Sequence, residues 1–279
     1  MALQHVELVA GGQRWRADLS RPMSIAIAIE FDGSQPSFYG APPATATALR
    51  SGTFVGDVLQ GGSCRCSTYS LTPHCNGTHT ESIGHVVLEP VSIHDTAREA
   101  FLIARVISVT PIDTAAVDGA SSSSTAQKDR VVTAASLQTA LAGHAPHDCH
   151  ALVVRTLPNS LDKTARNYAF EPGMPPYFSV DAMRWLVEQG CTHLVVDLPS
   201  IDRAVDGGLL RGHRIFWGLP DAGVHLAAAT RPEATITELA YIDNAIADGL
   251  YLLNLQMAAF ASDAAPSRPI LYPLRAVPS

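Results

Sequence analysis

The feature that most constrains this chain is a short segment in which metal-binding side chains are crowded together. Residues 71–85 read LTPHCNGTHTESIGH and hold three histidines, one glutamate and one cysteine. His79 and Glu81 are two residues apart, so in an extended strand their side chains lie on the same face. The spacing therefore predicts a strand that offers two ligands to one ion.

Imidazole and carboxylate groups together suit zinc, manganese or iron. Gly77 permits a backbone turn that bulkier residues resist, and such a turn would bring His74 or Cys75 to the same point. A single histidine is more often a surface or hydrogen-bonded residue than a ligand. The density of candidate ligands in this segment favours a metal site.

Composition limits the classes of protein to consider. The 279 residues are 47% hydrophobic and 16% charged, which is typical of a compact globular chain. The net charge is -7 and no run is rich in lysine or arginine, so we expect neither nucleic acid nor an anionic membrane as partner. No stretch is apolar enough to span a bilayer and no secretory signal is recognisable, so we predict a cytoplasmic protein. Five cysteines, an odd number, favour a reducing compartment over a disulfide framework.

The hydrophobic pattern predicts alternating helices and strands, and hence an α/β fold with helices covering a sheet. Strands are expected at residues 24–31, 101–110, 151–156 and 192–198, and a helix or strand at 249–256. Helices are expected from a cap at Thr133 to Leu141, ended by Gly143, and from a cap at Ser179 to Gln189. Residues 36–43 and 121–124 are predicted loops.

Residues 74–85, HCNGTHTESIGH, resemble the H-x-G-T-H-x-D-x-x-x-H signature of the cyclase-like metal-dependent hydrolases. That family includes bacterial kynurenine formamidase and isatin hydrolase. Further blocks match it in order: ADLSRP at 17–22, DLPSID at 197–202, RGHRIFW at 211–217, ITEL at 236–239 and DAAPSR at 263–268. Several weak motifs that agree in order make the resemblance strong.

The resemblance implies a swivelling β/β/α fold, which we predict as one domain over residues 1–279. It implies a divalent transition metal, zinc or manganese, as one or two ions. The ligands that it implies are His74, His79, Glu81, His213 and Glu238, with Glu81 as a bridge between two sites. His85 is then the general acid/base. We also expect a small-molecule substrate and a homo-oligomer, a dimer or tetramer.

The reaction implied is hydrolysis of an amide, formamide or lactam/lactone by a metal-activated water, as in an arylformamidase. Two alternatives stay open: a metal-dependent cyclase or dehydratase, and a non-catalytic protein that binds a metal or small molecule. The sequence does not name the substrate or the metal.

Two positions depart from the family signature. Glu81 replaces the usual aspartate, and His74 precedes His79 by five residues rather than four. Either a one-residue bulge keeps His74 as the ligand, or Cys75, which has the family spacing, takes its place. We favour His74. Cys64 and Cys66 are a poor match to the spacing of a structural zinc site that would include Cys75.

Other polar and aromatic residues have two interpretations each. Asp197, Ser200 and Asp202 either orient ligand imidazoles or cap the end of a strand. For Trp217, and for Phe38 and Tyr39 on the 36–43 loop, packing is favoured over contact with the substrate. Cys149 and Cys191 are expected to pack as small apolar residues.

Overall fold

A computed structural model describes residues 3–113, 129–142, 144, 150–168 and 174–278. The predicted loop at 121–124, Gly143 and Cys149 lie outside these residues. The strands are β1 (His5–Ala10), β2 (Gln13–Asp18), β3 (Met23–Ser24), β4 (Thr45–Ala48), β5 (Arg50–Ser51), β6 (Phe54–Val55), β7 (Ser67–Ser70), β8 (His79–Glu81), β9 (Phe101–Val109), β10 (Ile112–Asp113), β11 (Arg130–Val132), β12 (Ala151–Thr156), β13 (Tyr177–Phe178), β14 (His193–Val196), β15 (Thr235–Glu238), β16 (Gly249–Asn254), β17 (Ala264–Pro266) and β18 (Ile270–Ala276). The helices are α1 (Pro73–Asn76), α2 (Ile93–Thr96), α3 (Ala134–Ala140), α4 (Val180–Glu188) and α5 (Arg211–Phe216). Short 3-10 turns occupy Val58–Gln60, Ile83–His85, Leu161–Thr164 and Leu226–Ala228.

The main sheet runs in the order β1-β2-β18-β16-β9-β12-β14-β15-β8-β17, with β3 paired to β18. Strands β9, β12, β14 and β15 are parallel, so their carboxyl ends meet at one edge, where α/β proteins usually place their sites. Next to β15, β8 runs antiparallel and places His79 directly opposite Glu238. The strand pairing alone therefore brings together two residues that are far apart in the sequence.

Apolar side chains on the two faces of the sheet form two buried clusters. One lies under the helices and includes Ile107 of β9, Val154 of β12 and Leu186 of α4. The other, on the opposite face, includes Val106 and Val153, which alternate with the first set along the same strands. Burial on both faces explains why these strands read as nearly continuous hydrophobic runs.

The predicted strands and helices of the central region are confirmed, with ends within two residues. Thr133 and Ser179 cap α3 and α4 through their side-chain oxygens, which accept hydrogen bonds from Ser136 N and Ala182 N. Gly190 follows α4 at φ 76°, a left-handed position that suits glycine. Residues 249–254 form a strand rather than a helix.

The predicted strand at 24–31 is wrong over most of its length. Only Met23–Ser24 is a strand, and Ala26 adds an isolated bridge to Ala240. The apolar alternation arises because Ile25 and Ile27 are buried while the backbone bonds to separate partners, Pro269 O and Thr78 Oγ1. The alternation of apolar residues therefore reflects alternating burial of side chains here, and the backbone does not form a continuous strand.

Within the described residues, no helix is long and apolar enough to cross a membrane.

Candidate metal centre

Strand β8 supplies the centre of the site. His79 and Glu81 are fully buried and, two residues apart, point to the same side of the sheet. Thr80 points the other way, where its hydroxyl lies 2.8 Å from Thr237 Oγ1 on β15. The chain therefore forms the predicted strand here, with both side chains on one face.

The single turn α1 carries His74 to the same point. Pro73 occupies its first turn, where a missing N–H costs no hydrogen bond, and Asn76 Oδ1 accepts a 2.6 Å hydrogen bond from Thr72 N. His74 Nδ1 lies 3.1 Å from Glu81 Oε2. Cys75 instead packs in a buried cluster with Phe38, Tyr168 and Leu239. Of the two candidates in this turn, His74 is the one that faces the other metal-binding side chains.

Gly77 is needed for space rather than for a turn. The chain bends here as predicted, but its φ of 175° is extended backbone, open to any residue, so the bend does not depend on the conformational freedom of glycine. A Cβ atom on Gly77 would lie 2.8 Å from Ile29 Cγ1, closer than carbon atoms pack. The extra residue between His74 and His79 is accommodated by the helical turn α1 instead.

His213 is held in one orientation by Asp202. His213 lies in α5, and Asp202 Oδ1 accepts a 2.6 Å hydrogen bond from Gly212 N at the start of that helix. Asp202 Oδ2 lies 2.7 Å from His213 Nδ1 and also accepts from His213 N at 3.2 Å. Asp202 accepts the hydrogen bond from Nδ1–H, so Nε2 is the nitrogen that faces Glu81, whose Oε1 is 2.9 Å away.

Glu238 ends strand β15 on the other side of the centre. Its Oε1 accepts a 2.7 Å hydrogen bond from Ile201 N, which fixes the carboxylate to the turn after β14. Its Oε2 lies 3.7 Å from His79 Nε2, and Oε1 lies 3.6 Å from His213 Nε2. His79 Nδ1 lies 3.0 Å from Gly77 O, so that nitrogen carries the proton and Nε2 presents its lone pair.

Buried atoms without partners test whether these residues fit a metal. His79 Nε2, His213 Nε2 and both carboxylate oxygens of Glu81 are buried and have no hydrogen-bond partner among the described residues. A buried polar atom without a partner carries a substantial free-energy cost. Four such atoms converge here, with the ligand atoms of histidine and carboxylate, so the donor set fits a divalent transition metal.

The described residues contain two groups of three ligand atoms that lie within 4.8 Å of one another. One contains His74, Glu81 and His85, and the other contains His79, Glu81 and Glu238. Glu81 belongs to both, as a bridging carboxylate would. The resemblance implied one site of His74, His79 and Glu81 and a second of Glu81, His213 and Glu238. The observed division differs, since His74 and His79 fall in different groups, His85 stands beside His74, and His213 belongs to neither group.

His85 and Asp263 close the more exposed side of the centre. His85 follows β8 in a 3-10 turn, and its Nδ1 lies 4.0 Å from Glu81 Oε2 and 3.5 Å from Asp263 Oδ2. Asp263 Oδ2 also lies 2.8 Å from His74 Nε2. Asp263 opens the block at 263–268 that matches the family, but no site role was predicted for it; it stands directly before β17, whose Ala264 pairs with Glu81. The match of that block to the family was the signal that could have pointed to Asp263.

The other candidates separate into two sets. Asp202 orients a ligand imidazole as proposed, whereas Asp197 does not contact a histidine. Asp197 Oδ2 accepts hydrogen bonds from Lys163 Nζ at 2.7 Å and from Thr156 N at 2.9 Å, which ties the ends of β12 and β14 to the following loop. Ser200 Oγ accepts from Asp202 N at 3.1 Å, a turn contact.

Trp217 and Cys191 have packing roles. Trp217 is fully buried in the helix-side core, and its Nε1 donates a 2.8 Å hydrogen bond to Ala234 O. Cys191 is buried in the same core, while Cys64 is exposed. No cysteine of the described residues belongs to a group of three ligand atoms, so the structural zinc site is not formed here.

Burial and neighbouring charges shift the pKa values of the acids and bases in the centre. Burial and the nearby carboxylate of Glu81 raise the pKa of Glu238 to about 8. Burial would likewise raise the pKa of Glu81, but His85 and His213 outweigh it and hold that pKa well below its usual range. Burial, with the positive charge of His74, lowers the pKa of His79 to about 4. His79 is therefore neutral at pH 7, the form that binds metals.

His74 and His213 are held in their charged, protonated form. Burial opposes protonation of His74, but the nearby carboxylates of Asp263 and Glu81 raise its pKa to about 10. Burial also opposes protonation of His213, yet Glu81 and Asp202 raise its pKa well above the usual value. Hydrogen bonds from His74 and His85 hold the pKa of Asp263 well below its usual range. The positive charges of the protonated histidines neutralise the carboxylates in the metal-free centre. A bound cation would replace these protons.

Comparison with known proteins gives one family and several solved structures. A family model described as "Putative cyclase" matches residues 17–203. The comparison with curated proteins gives no match.

Three solved structures resemble the fold over most of both chains. A predicted metal-dependent hydrolase from Bacillus stearothermophilus is 16% identical, with a TM-score of 0.57 over 90% of this chain and 98% of that one. Isatin hydrolase A from Labrenzia aggregata is 14% identical, with a TM-score of 0.60 over 90% and 93%. Isatin hydrolase A from Ralstonia solanacearum is 14% identical, with a TM-score of 0.60 over 91% of each chain. At these identities the likeness establishes the fold, and the predicted α/β fold is confirmed.

Proposed function

The chain belongs to the cyclase family, and from this membership and the geometry of the centre we propose that it is a metal-dependent hydrolase. The observation that carries the proposal is the convergence of four buried, unpartnered ligand atoms from His79, Glu81 and His213. The family match and the structural likeness to metal-dependent hydrolases support it.

The proposed ligands are His74, His79, Glu81, His213 and Glu238, with Glu81 between the two groups. Zinc or manganese suits this mixture of imidazole and carboxylate. A divalent ion held here would supply an acidified water and a Lewis-acid contact for a substrate carbonyl. Buried walls at His79 and Glu238 exclude bulk water and strengthen every electrostatic contact inside.

His85 is the proposed proton-transfer group. Its side chain is 26% exposed, so it borders both the buried carboxylate of Glu81 and the solvent. An imidazole can both accept and return a proton, which is what general acid/base catalysis requires. Asp263 Oδ2 lies 3.5 Å from His85 Nδ1 and would help to orient the ring for this role. Because His85 also stands in a group of ligand atoms, its alternative role is a further ligand.

The substrate class that we propose is an amide, formamide or lactam/lactone, as in an arylformamidase. In such substrates a carbonyl carbon is attacked by water and a nitrogen or oxygen leaves, which requires one activated water and one proton donor. Isatin hydrolases of the same fold support a cyclic amide among the candidates. The protein is further proposed to act on a small molecule as a homo-oligomer.

Purified protein tests the metal and the activity together. Its metal content should be stoichiometric in zinc or manganese, and a strong chelator should remove the metal along with hydrolysis of an amide and lactone panel. Full activity in metal-free protein would overturn the mechanism. Products formed in ¹⁸O-labelled water distinguish hydrolysis, which incorporates the label, from dehydration or ring closure, which does not.

A further inference from the structure

The backbone of Asp263 is held in place by the residues around Glu81. Its carbonyl oxygen accepts hydrogen bonds from Ser82 N at 2.9 Å and from Ser82 Oγ at 3.2 Å. Gly84 approaches it so closely that a Cβ atom on that glycine would lie 3.2 Å from Asp263 Cβ. The next residue, Ala264, pairs with Glu81 across β17 and β8. Asp263 therefore has a fixed position relative to Glu81.

The two carboxylate oxygens of Asp263 have different neighbours. Oδ1 accepts a 3.0 Å hydrogen bond from Ser262 Oγ. Oδ2 lies 2.8 Å from His74 Nε2 in hydrogen-bonding geometry, and at a longer 3.5 Å from His85 Nδ1. An ionised carboxylate only accepts hydrogen bonds, so the proton of this contact is on His74 Nε2.

The other ring nitrogen of His74 faces Glu81 without forming a hydrogen bond. Nδ1 is 3.1 Å from Glu81 Oε2, yet that oxygen has no hydrogen-bond partner within the described part of the chain. Two atoms that bind one zinc ion at about 2.1 Å in tetrahedral geometry are about 3.4 Å apart. The separation of Nδ1 and Oε2 is therefore close to that of two ligands of one ion.

We propose that Asp263 is a positioning residue of the metal centre, whose carboxylate holds the proton on His74 Nε2 so that His74 binds the ion through Nδ1. The inference rests on the proposed function, since it needs an ion between His74 and Glu81. In a histidine ligand, the hydrogen bond made by one ring nitrogen determines which nitrogen binds the metal.

Asp202 and His213 show the complementary arrangement on the other side of Glu81. Asp202 Oδ2 is the partner of His213 Nδ1, and His213 Nε2 faces Glu81 Oε1. Asp263 is the partner of Nε2 in His74, and Nδ1 faces Glu81 Oε2. Two carboxylates thus direct two histidines, through opposite ring nitrogens, at the two oxygens of Glu81.

Removing the carboxylate isolates its effect on His74. Asp263→Ala keeps the Cβ atom beside Gly84, and because the side chain is 36% exposed, its truncation leaves no buried cavity. Asp95→Ala is the matched control. Asp95 is an exposed carboxylate on α2, the helix whose Ile93 N donates a 2.8 Å hydrogen bond to Ser262 O, and it lies outside the groups of ligand atoms.

Zinc alone is the probe for the first measurement. Its affinity is determined by competition with a chromogenic chelator on the wild type and both variants, and thermal unfolding checks that each protein is folded. We expect Asp263→Ala to bind zinc roughly 10–100-fold more weakly, the usual effect of losing the partner of a ligand histidine. Asp95→Ala should bind zinc like the wild type.

Nitrogen-15 spectra of the zinc-loaded protein identify the bound ring nitrogen directly. The ring of His74 is assigned through bonds to its own backbone. In the wild type we expect zinc on Nδ1 and a proton on Nε2 that exchanges slowly with water, and in Asp263→Ala we expect faster exchange of that proton. A purely structural role of Asp263 would leave this exchange unchanged.

The outcomes distinguish this inference from the proposed function. Zinc bound through Nε2 of His74 in the wild type, or equal zinc affinities of Asp263→Ala and the wild type, would overturn the role of Asp263 and leave the metal centre in place. A wild type that does not bind zinc at all would overturn the proposed function, and this inference with it.

Discussion

Asp202 and His213 form a direct contact at the candidate metal centre, with Asp202 Oδ2 2.7 Å from His213 Nδ1. The carboxylate accepts the hydrogen bond from Nδ1–H, and the other ring nitrogen faces Glu81 at 2.9 Å. Asp202 also receives backbone hydrogen bonds from Gly212 and His213. One side chain therefore sets both the start of α5 and the orientation of a proposed ligand.

Replacing Asp202 by asparagine should weaken metal binding without removing a ligand. The amide nitrogen cannot accept the Nδ1 proton, so His213 loses its preferred tautomer, and affinity should fall by roughly 10–100-fold. Competition with a chromogenic chelator measures the change. Asp181→Asn, on the exposed first turn of α4, is the control and should bind metal like the wild type. Unchanged affinity in Asp202→Asn would show that the contact has no part in metal binding.

The choice between His74 and Cys75 is tested by removing each in turn. His74→Ala should lose metal, because the ring that approaches Glu81 at 3.1 Å is gone. Cys75→Ala should retain metal and cost about 1 kcal/mol of unfolding free energy, the usual size of a modest core truncation. Metal analysis and denaturant unfolding of both variants give the answer. Loss of metal in Cys75→Ala alone would establish the family spacing, with the thiol as ligand.

His85→Ala should separate proton transfer from metal binding. If His85 is the general acid/base, metal content stays nearly intact and kcat falls by roughly 10²–10⁴. Metal content and kcat must be measured on the same sample. Loss of metal would instead make His85 a ligand, in line with its place beside His74 and Glu81. Intact metal with near-normal kcat would remove His85 from the mechanism.

Metal binding should release protons at pH 7. In the metal-free centre the pKa values of His74 and Glu238 are raised to about 10 and about 8, so both groups are protonated at neutral pH. An ion needs the lone pairs that these protons occupy, so affinity should rise as the pH is raised and fall as it is lowered. Calorimetric titration in two buffers of different ionisation enthalpy counts the protons. An enthalpy independent of the buffer would contradict the expected release.

A homo-oligomer remains our prediction for the assembled protein. Most soluble oligomers are symmetric assemblies of one chain, and 47% hydrophobic content leaves room for a sizeable interface. Light scattering coupled to size exclusion should give at least twice the chain mass of 29.6 kDa. A monomer mass at every concentration would refute this prediction and leave the fold and the metal centre unaffected.

The sequence by itself determined the elements whose signal is local. Caps at Thr133 and Ser179, and the buried runs at β9, β12 and β14, depend on neighbouring residues, and their positions were predicted closely. The alternate placement of His79 and Glu81 on one strand face is likewise a property of extended backbone. These features need no knowledge of what lies across the sheet.

Tertiary structure decided everything that depends on approach through space. The pairing of His79 with Glu238, the division of ligand atoms into two groups and the place of Asp263 beside His74 arise from strands far apart in sequence. Local pattern also misled at residues 24–31, where burial alternates without a ladder, and at Gly77, where lack of space beside Ile29 matters and backbone freedom does not. The sequence determines the chemistry of each side chain, but the distance between two side chains is set only when the sheet forms.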